Sequence, residues 1–340
     1  MNSISLRILP AIALLLVAAC GEQKLDTSQG SEASTDTTAA LVERAGAPLF
    51  DGMSDYEMPI TTQNADAQRY FNQGMVLAFA FNHAESIRSF RAAQTLDPSC
   101  AMCFWGEALA TGPNINVTSK GKVIMSAAER EAAFSALQQA LALKANATPR
   151  EQAFIEALAT RYNGQPETDR EPLDRAWAQA MGKVAKQYPE DMTAASIYAE
   201  SLMNTMPWNY WSDDGIAKPE TSAVIESLDR VLEAEPDHPL ALHLYIHALE
   251  ASNDPGRAEA AADRLANLVP GAGHLVHMPS HIYYRVGRYN DAALANQRAA
   301  DVDEAYIAAC NAQGFYPALY YPHNIHFLWS AATMQGQSAL

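Results

Sequence analysis

From residue 66 onward, apolar side chains recur at three- and four-residue spacing, and nowhere do they alternate with polar ones every second residue. That spacing lays an apolar stripe along one side of a helix and is incompatible with a half-buried strand. The chain therefore reads as a run of amphipathic helices and no sheet. Prolines punctuate the run. Leu232-Glu-Ala-Glu-Pro236 and Leu268-Val-Pro270 end two helices in the same manner, and the two prolines stand 34 residues apart. Gln187-Tyr-Pro189-Glu-Asp191 is a third ending of this kind. A fixed period of this length means that one supersecondary unit is repeated, each copy burying its apolar face against its neighbours. With 340 residues, 49% of them hydrophobic, the chain can bury a sizeable core as one or two domains.

The segment Gln68-Arg-Tyr-Phe-Asn-Gln-Gly74, followed by Ala84, Phe90, Ala93 and Leu96-Asp-Pro98, resembles the tetratricopeptide (TPR) repeat, as does Val286-Gly-Arg-Tyr-Asn-Asp-Ala292. The resemblance covers most of residues 66–340. It is close in three units and degenerate between about 113 and 185. It implies an all-α fold: a right-handed solenoid of helical hairpins whose first helices line a concave groove. Phe81-Asn-His-Ala-Glu-Ser-Ile-Arg-Ser-Phe90 and Cys100-Ala-Met-Cys103-Phe-Trp-Gly-Glu-Ala-Leu109, with Gly112-Pro-Asn-Ile-Asn116 behind them, look like a group of exported bacterial TPR proteins, which brings no activity with it. Two stretches break the period, residues 112–124 and 206–219. Insertions in a solenoid collect on one face, often the binding face. Trp208 and Trp211, in the second, would then either cover the groove or pack on neighbouring helices. Gly336 occupies the turn-glycine place of a repeat, so its partner helix would begin just after Leu340. The repeat therefore ends in a degenerate cap, or the chain is a piece of a longer protein.

The leading residues have another character. Arg7 precedes an apolar run from Ile8 to Val17, too short to span a bilayer as a mature helix. Val17-Ala-Ala-Cys20 resembles the cleavage box of bacterial lipoproteins. The resemblance implies a signal peptide at 1–19, lipid on the Cys20 sulfur, and a protein anchored to a membrane without crossing it. Gly21 follows the cysteine rather than Asp, which favours the outer membrane over the inner. Residues 20–60 then read as the lipidated cysteine and a flexible tether, because Ser, Thr, Ala, Gly and acidic residues dominate there and large apolar ones are few. The solenoid is expected over 61–340. The formal net charge of −16, with no basic run to offset it, argues against nucleic acid and against charge-driven binding to anionic lipid. In an exported chain Cys100 and Cys103 read as a disulfide, a redox pair or two metal ligands, the disulfide being the plainest of the three.

The remaining signal is histidine. Eight of the nine histidines lie between His238 and His326, where an even spread would put about two. Counted from the closing prolines, His243 and His247 fall at +7 and +11, and His274, His277 and His281 at +4, +7 and +11. Counted back from the turn glycines, His323 and His326 match His274 and His277. Glu250 and Glu200 share the register, at +14 and +11. Such offsets cover a stripe roughly 80° wide on a helix. In the TPR family that stripe faces the groove. His243, His247, His274, His277, His281, His323 and His326 are thus expected on one wall, with His238 outside the set in a turn and His83 structural. Neutral imidazoles at i and i+4 chelate a transition metal, and seven of them exceed the needs of one ion. Copper, zinc or iron fits this donor set. Copper would bring oxidative chemistry; zinc would bring hydrolysis, with Glu200 or Glu250 as general base. The rival expectation is a TPR scaffold that holds a peptide or cell-envelope protein in the groove and carries no metal. The pattern names a site without naming a reaction.

Overall fold

Helices begin where the sequence supplies caps. Asn64 accepts hydrogen bonds from the Asp66 and Ala67 amides, and Asp191 from that of Ala194. Ser126 with Glu129, and Thr148 with Glu151, close reciprocal capping boxes, the second just ahead of Pro149. Each such cap satisfies amides that the first turn leaves unpaired. The computed structural model describes residues 38–116, 125–165 and 169–337. The expected signal peptide and Cys20 lie outside them.

After a helical stretch at 38–45 come α1 (Ala65–Phe79), α2 (His83–Leu96), α3 (Ala101–Thr111), α4 (Ala127–Leu143), α5 (Pro149–Leu158), α6 (Arg170–Gln187), α7 (Met192–Thr205), α8 (Pro219–Ala234), α9 (Pro239–Glu250), α10 (Glu259–Leu265), α11 (Gly273–His277), α12 (Pro279–Arg285), α13 (Tyr289–Cys310) and α14 (Phe315–Met334). Among the described residues there is no strand, and the only β-type bridge is an isolated one between Trp211 and Ala217. The fold is all-α, as the periodicity predicts. Most helices fold back on the one before and pack against it, as α1 and α2, α6 and α7, and α13 and α14 do. The irregular stretches after α3 and between α7 and α8 fall where the period breaks. Cys100, at the start of α3, forms a disulfide with Cys103.

Val42–Leu340 forms one compact unit, and two features separate it from an open stack. First, the earliest hairpin reaches the later ones. The Phe79 carbonyl at the end of α1 accepts from His243 on α9 at 2.6 Å, and the ring of Phe81 meets that of Tyr320 on α14. Second, residues 42–60 are not tether. The Phe50 amide donates to Gln73 (2.8 Å), the Tyr56 hydroxyl bonds Thr193 (2.8 Å), and the Gly271 amide donates to the Gly52 carbonyl (2.9 Å). Met58 is buried. Phe50, Met53, Tyr56 and Met58 supply the apolar area that makes this stretch adhere, against the average of its small polar neighbours.

The crossing of α1, α2 and α3 turns on Phe90, which is fully buried. A Cβ added at Gly74 would come within 2.7 Å of its ring, and one at Gly106 within 2.4 Å. In an exposed helix Gly→Ala gains about 1 kcal/mol. Here Gly106→Ala is expected to lose about 1–3 kcal/mol by overpacking, which a urea titration of the two proteins would read.

Candidate metal centre

Four helices deliver six imidazoles to one place. α9 supplies His243 and His247, one turn apart on its inner side. α11 and α12 run almost in line through Met278, whose backbone is helical, so His274, His277 and His281 keep helical spacing across the junction. α14 adds His323. The ligand atoms of His243, His247 and His274 lie within 4.8 Å of one another, and so do those of His277, His281 and His323. The two triads adjoin: the His247 and His281 rings are 5.7 Å apart centre to centre, and His274 and His277 5.8 Å. His243, His247, His274, His277 and His281 are 0–5% exposed; His323 is half-buried.

Hydrogen bonds fix which nitrogen of several rings faces inward. His243 Nδ1 donates to the Phe79 carbonyl, leaving its Nε2 a bare acceptor with no partner. Asn296 donates its amide to the Ala292 carbonyl, so its Oδ1 accepts from His277 Nδ1 at 2.5 Å. His281 Nδ1 donates to Glu250 Oε1 at 2.7 Å. With one proton on each ring, His277 and His281 turn bare Nε2 lone pairs toward one another at 2.8 Å. Two lone pairs at that distance repel unless a cation, a proton or a metal ion, bridges them. An ion with metal–nitrogen bonds of about 2.0–2.1 Å holds neighbouring donors roughly 3 Å apart. Both nitrogens of His247 and of His274 are buried without partners, as is Glu250 Oε2. Each such atom costs about 1–3 kcal/mol while unpaired.

Burial, then the neighbouring imidazoles, hold His247, His274 and His277 well below the ordinary histidine value. Burial lowers His243 to about 3 and His323 to about 4. Near neutral pH these rings are neutral, the state in which imidazole ligates metal. Burial works against the charge on Glu250, but His281 beside it prevails and holds the carboxyl below its usual range.

Phe81 lies over the first triad, 5.4 Å from His274 and nearly parallel to it, and 4.6 Å from His243. Trp208 meets His247 edge-on at 5.1 Å and donates its indole N–H to Asn116. Phe81 and Trp208 both have positive φ, +56° and +59°, a conformation that large side chains adopt only under constraint and that clusters at functional sites.

Two residues of the expected set are not brought to the cluster. His326 is exposed and stacks on Trp329. On α14 the inward positions follow i, i+4 from His323 to Phe327, whose ring packs on His277 and His281. Glu200 is half-buried, its carboxyl raised by desolvation, and the charge it feels is Arg161. Glu250 meets the second triad, through the far nitrogen of His281. His238 caps α9 and packs on Tyr56, outside the triads. Phe81 and Asn296 gave no signal in the histidine register, because one lies in a turn of the first hairpin and the other on α13.

A carboxylate on the distal nitrogen orients a ligating histidine and raises its basicity. Glu250→Gln is expected to weaken metal affinity about 10–100-fold with helix content unchanged, as read by competition against a chromophoric chelator. No protein-family model matches the sequence, and no curated protein is significantly similar to it.

Proposed function

We propose that the protein is a metalloprotein that holds a pair of transition-metal ions in two adjoining three-histidine sites. The observation that carries this is the 2.8 Å approach of His277 Nε2 to His281 Nε2, with the other nitrogen of each ring already donating. Copper and zinc suit a donor set made only of imidazole. Iron sites of the mixed histidine and carboxylate kind would need Glu250 to leave His281. Three protein donors per ion leave a coordination position open, the arrangement of catalytic rather than purely structural sites. An enzyme of the oxidoreductase or hydrolase kind is the reading this favours. Glu250 is a positioning residue in it, and neither Glu200 nor His326 takes part.

The scaffold we propose is a TPR-like solenoid, supported by the hairpin order, the 34-residue proline spacing and the Phe90 crossing between Gly74 and Gly106. Export and lipidation at Cys20, with anchoring in the bacterial envelope, rest on the leader's composition alone. An adaptor that docks a peptide along the histidine wall is less well supported, since that wall is buried and Phe81 lies against it.

Elemental analysis of untagged protein, after exposure to copper, zinc and iron salts and gel filtration, tests the reading. The expected result is two equivalents of copper or zinc per chain. A wild-type protein that retains none is not a metalloprotein of this kind.

A further inference from the structure

A cavity of about 160 Å³ opens over both triads. Its floor holds His247 and His274 of the first triad and His281 and His323 of the second; Trp208, Leu319 and Tyr320 line its walls. Trp208 is 50% exposed and Leu319 42%, so the mouth meets solvent between them. A cavity of about 150 Å³ is room for one benzene ring. The walls suit that shape. The Tyr320 ring stands 4.7 Å from His274, its hydroxyl within reach of the Asn114 and Asn116 amides. Asn116 also pins Trp208. These groups are fixed by hydrogen bonds to one another and offer the cavity flat apolar faces.

Charge decides what the ring must carry. Two divalent ions among neutral imidazoles bring four positive charges into a buried site. Among the described residues the carboxylate in contact with these rings is Glu250, and it is engaged with His281. Charge buried in this way needs a compensating partner. An anionic oxygen on the ligand supplies it at the open coordination positions.

From volume, walls and charge together, we infer that this cavity is the substrate site and that it takes a small monocyclic phenol, bound ring-first between Trp208, Leu319 and Tyr320 with its phenolate oxygen toward the metals. The inference rests on the metal reading above.

Equilibrium dialysis of copper- or zinc-loaded protein against para-nitrophenol tests it, with metal content measured in the same samples. The expected result is one ring bound per loaded chain, lost on chelation and not displaced by acetate at equal concentration. Leu319→Trp fills the cavity and is expected to weaken binding about tenfold or more; metal content and helical circular dichroism show whether that variant is folded and loaded. Loaded wild type that binds no nitrophenol, releases it equally to acetate, or binds it unchanged in the loaded variant overturns the phenol site and leaves the metal pair standing. Wild type that takes up no metal overturns both.

Discussion

Stripping the metals from the wild-type protein is expected to lower its melting temperature by about 10 °C or more. The six candidate ligands come from four helices, α9, α11, α12 and α14. In the unfolded chain they are scattered, so nearly all of the binding free energy is folding free energy. An ion present at 100 to 1,000 times its dissociation constant stabilises the folded state by about 2.7–4.1 kcal/mol. Two ions contribute about 5–8 kcal/mol, and each kcal/mol moves the melting temperature of a domain this size by about 2 °C. Removal also restores the opposed lone pairs of His277 and His281. Replacing both by Ala abolishes the second triad. One of two metal equivalents should remain in His277→Ala/His281→Ala, and the chelator effect should fall to about half. Thermal unfolding followed by circular dichroism, with and without chelator, gives the first number; elemental analysis gives the second. A melting point that stays put after verified removal of the metal contradicts ligation by these six rings.

The periodic part of this arrangement was legible in the sequence, and the part made by chain closure was not. His243, His247, His274, His277, His281 and His323 meet because they occupy matching places in successive helices, and a count from Pro236 and Pro270, continued back from Gly287 and Gly336, finds that place. The same count included His326, since it treated His323 and His326 as equivalent to His274 and His277. In α11 and α12 both flanks of the stripe face neighbours. On α14 the +3 position, His326, is exposed and Phe327 at +4 packs on the rings instead. Glu200 shared the offset of His247, but its helix, α7, brings it toward Arg161 rather than toward the rings. Phe81 was invisible for a different reason. Its place over His274 depends on α1 packing against α9, a contact between residues more than 160 positions apart that no local pattern encodes. Residues 42–60 failed as tether because composition averages a window, whereas adhesion depends on a few side chains such as Met58.

Acidification is expected to unfold the metal-free protein within about two pH units below 6.5. Seven histidines have lowered values in the folded state: His83, His238, His243, His247, His274, His277 and His323. Burial is the first cause in each. Their unfolded value is about 6.5; burial lowers His83, His238 and His323 to about 4 and His243 to about 3. Between those limits the unfolded chain binds protons that the folded one refuses. Stability is then flat above pH 6.5, falls as pH drops through that value, and levels only below the folded values. Each histidine contributes at most about 1.4 kcal/mol per pH unit within the window. Asp303 runs the other way. Burial raises it to about 7, so below that pH the folded state holds a proton that the unfolded one has lost, and this offsets one histidine. Glu200 is raised in the same way and offsets another, so the net uptake is about five protons, enough to consume most of a stability of about 5–15 kcal/mol by pH 4.5. Urea titrations in chelator at a series of pH values measure it as the slope of unfolding free energy against pH. Bound metal competes with the protons on the triads, so the loaded protein should hold to a lower pH, while His83 and His238, outside the triads, keep part of the slope in both forms. A stability that does not change between pH 6.5 and 5 would mean that these imidazoles are hydrated in the folded state, and the buried triads with them.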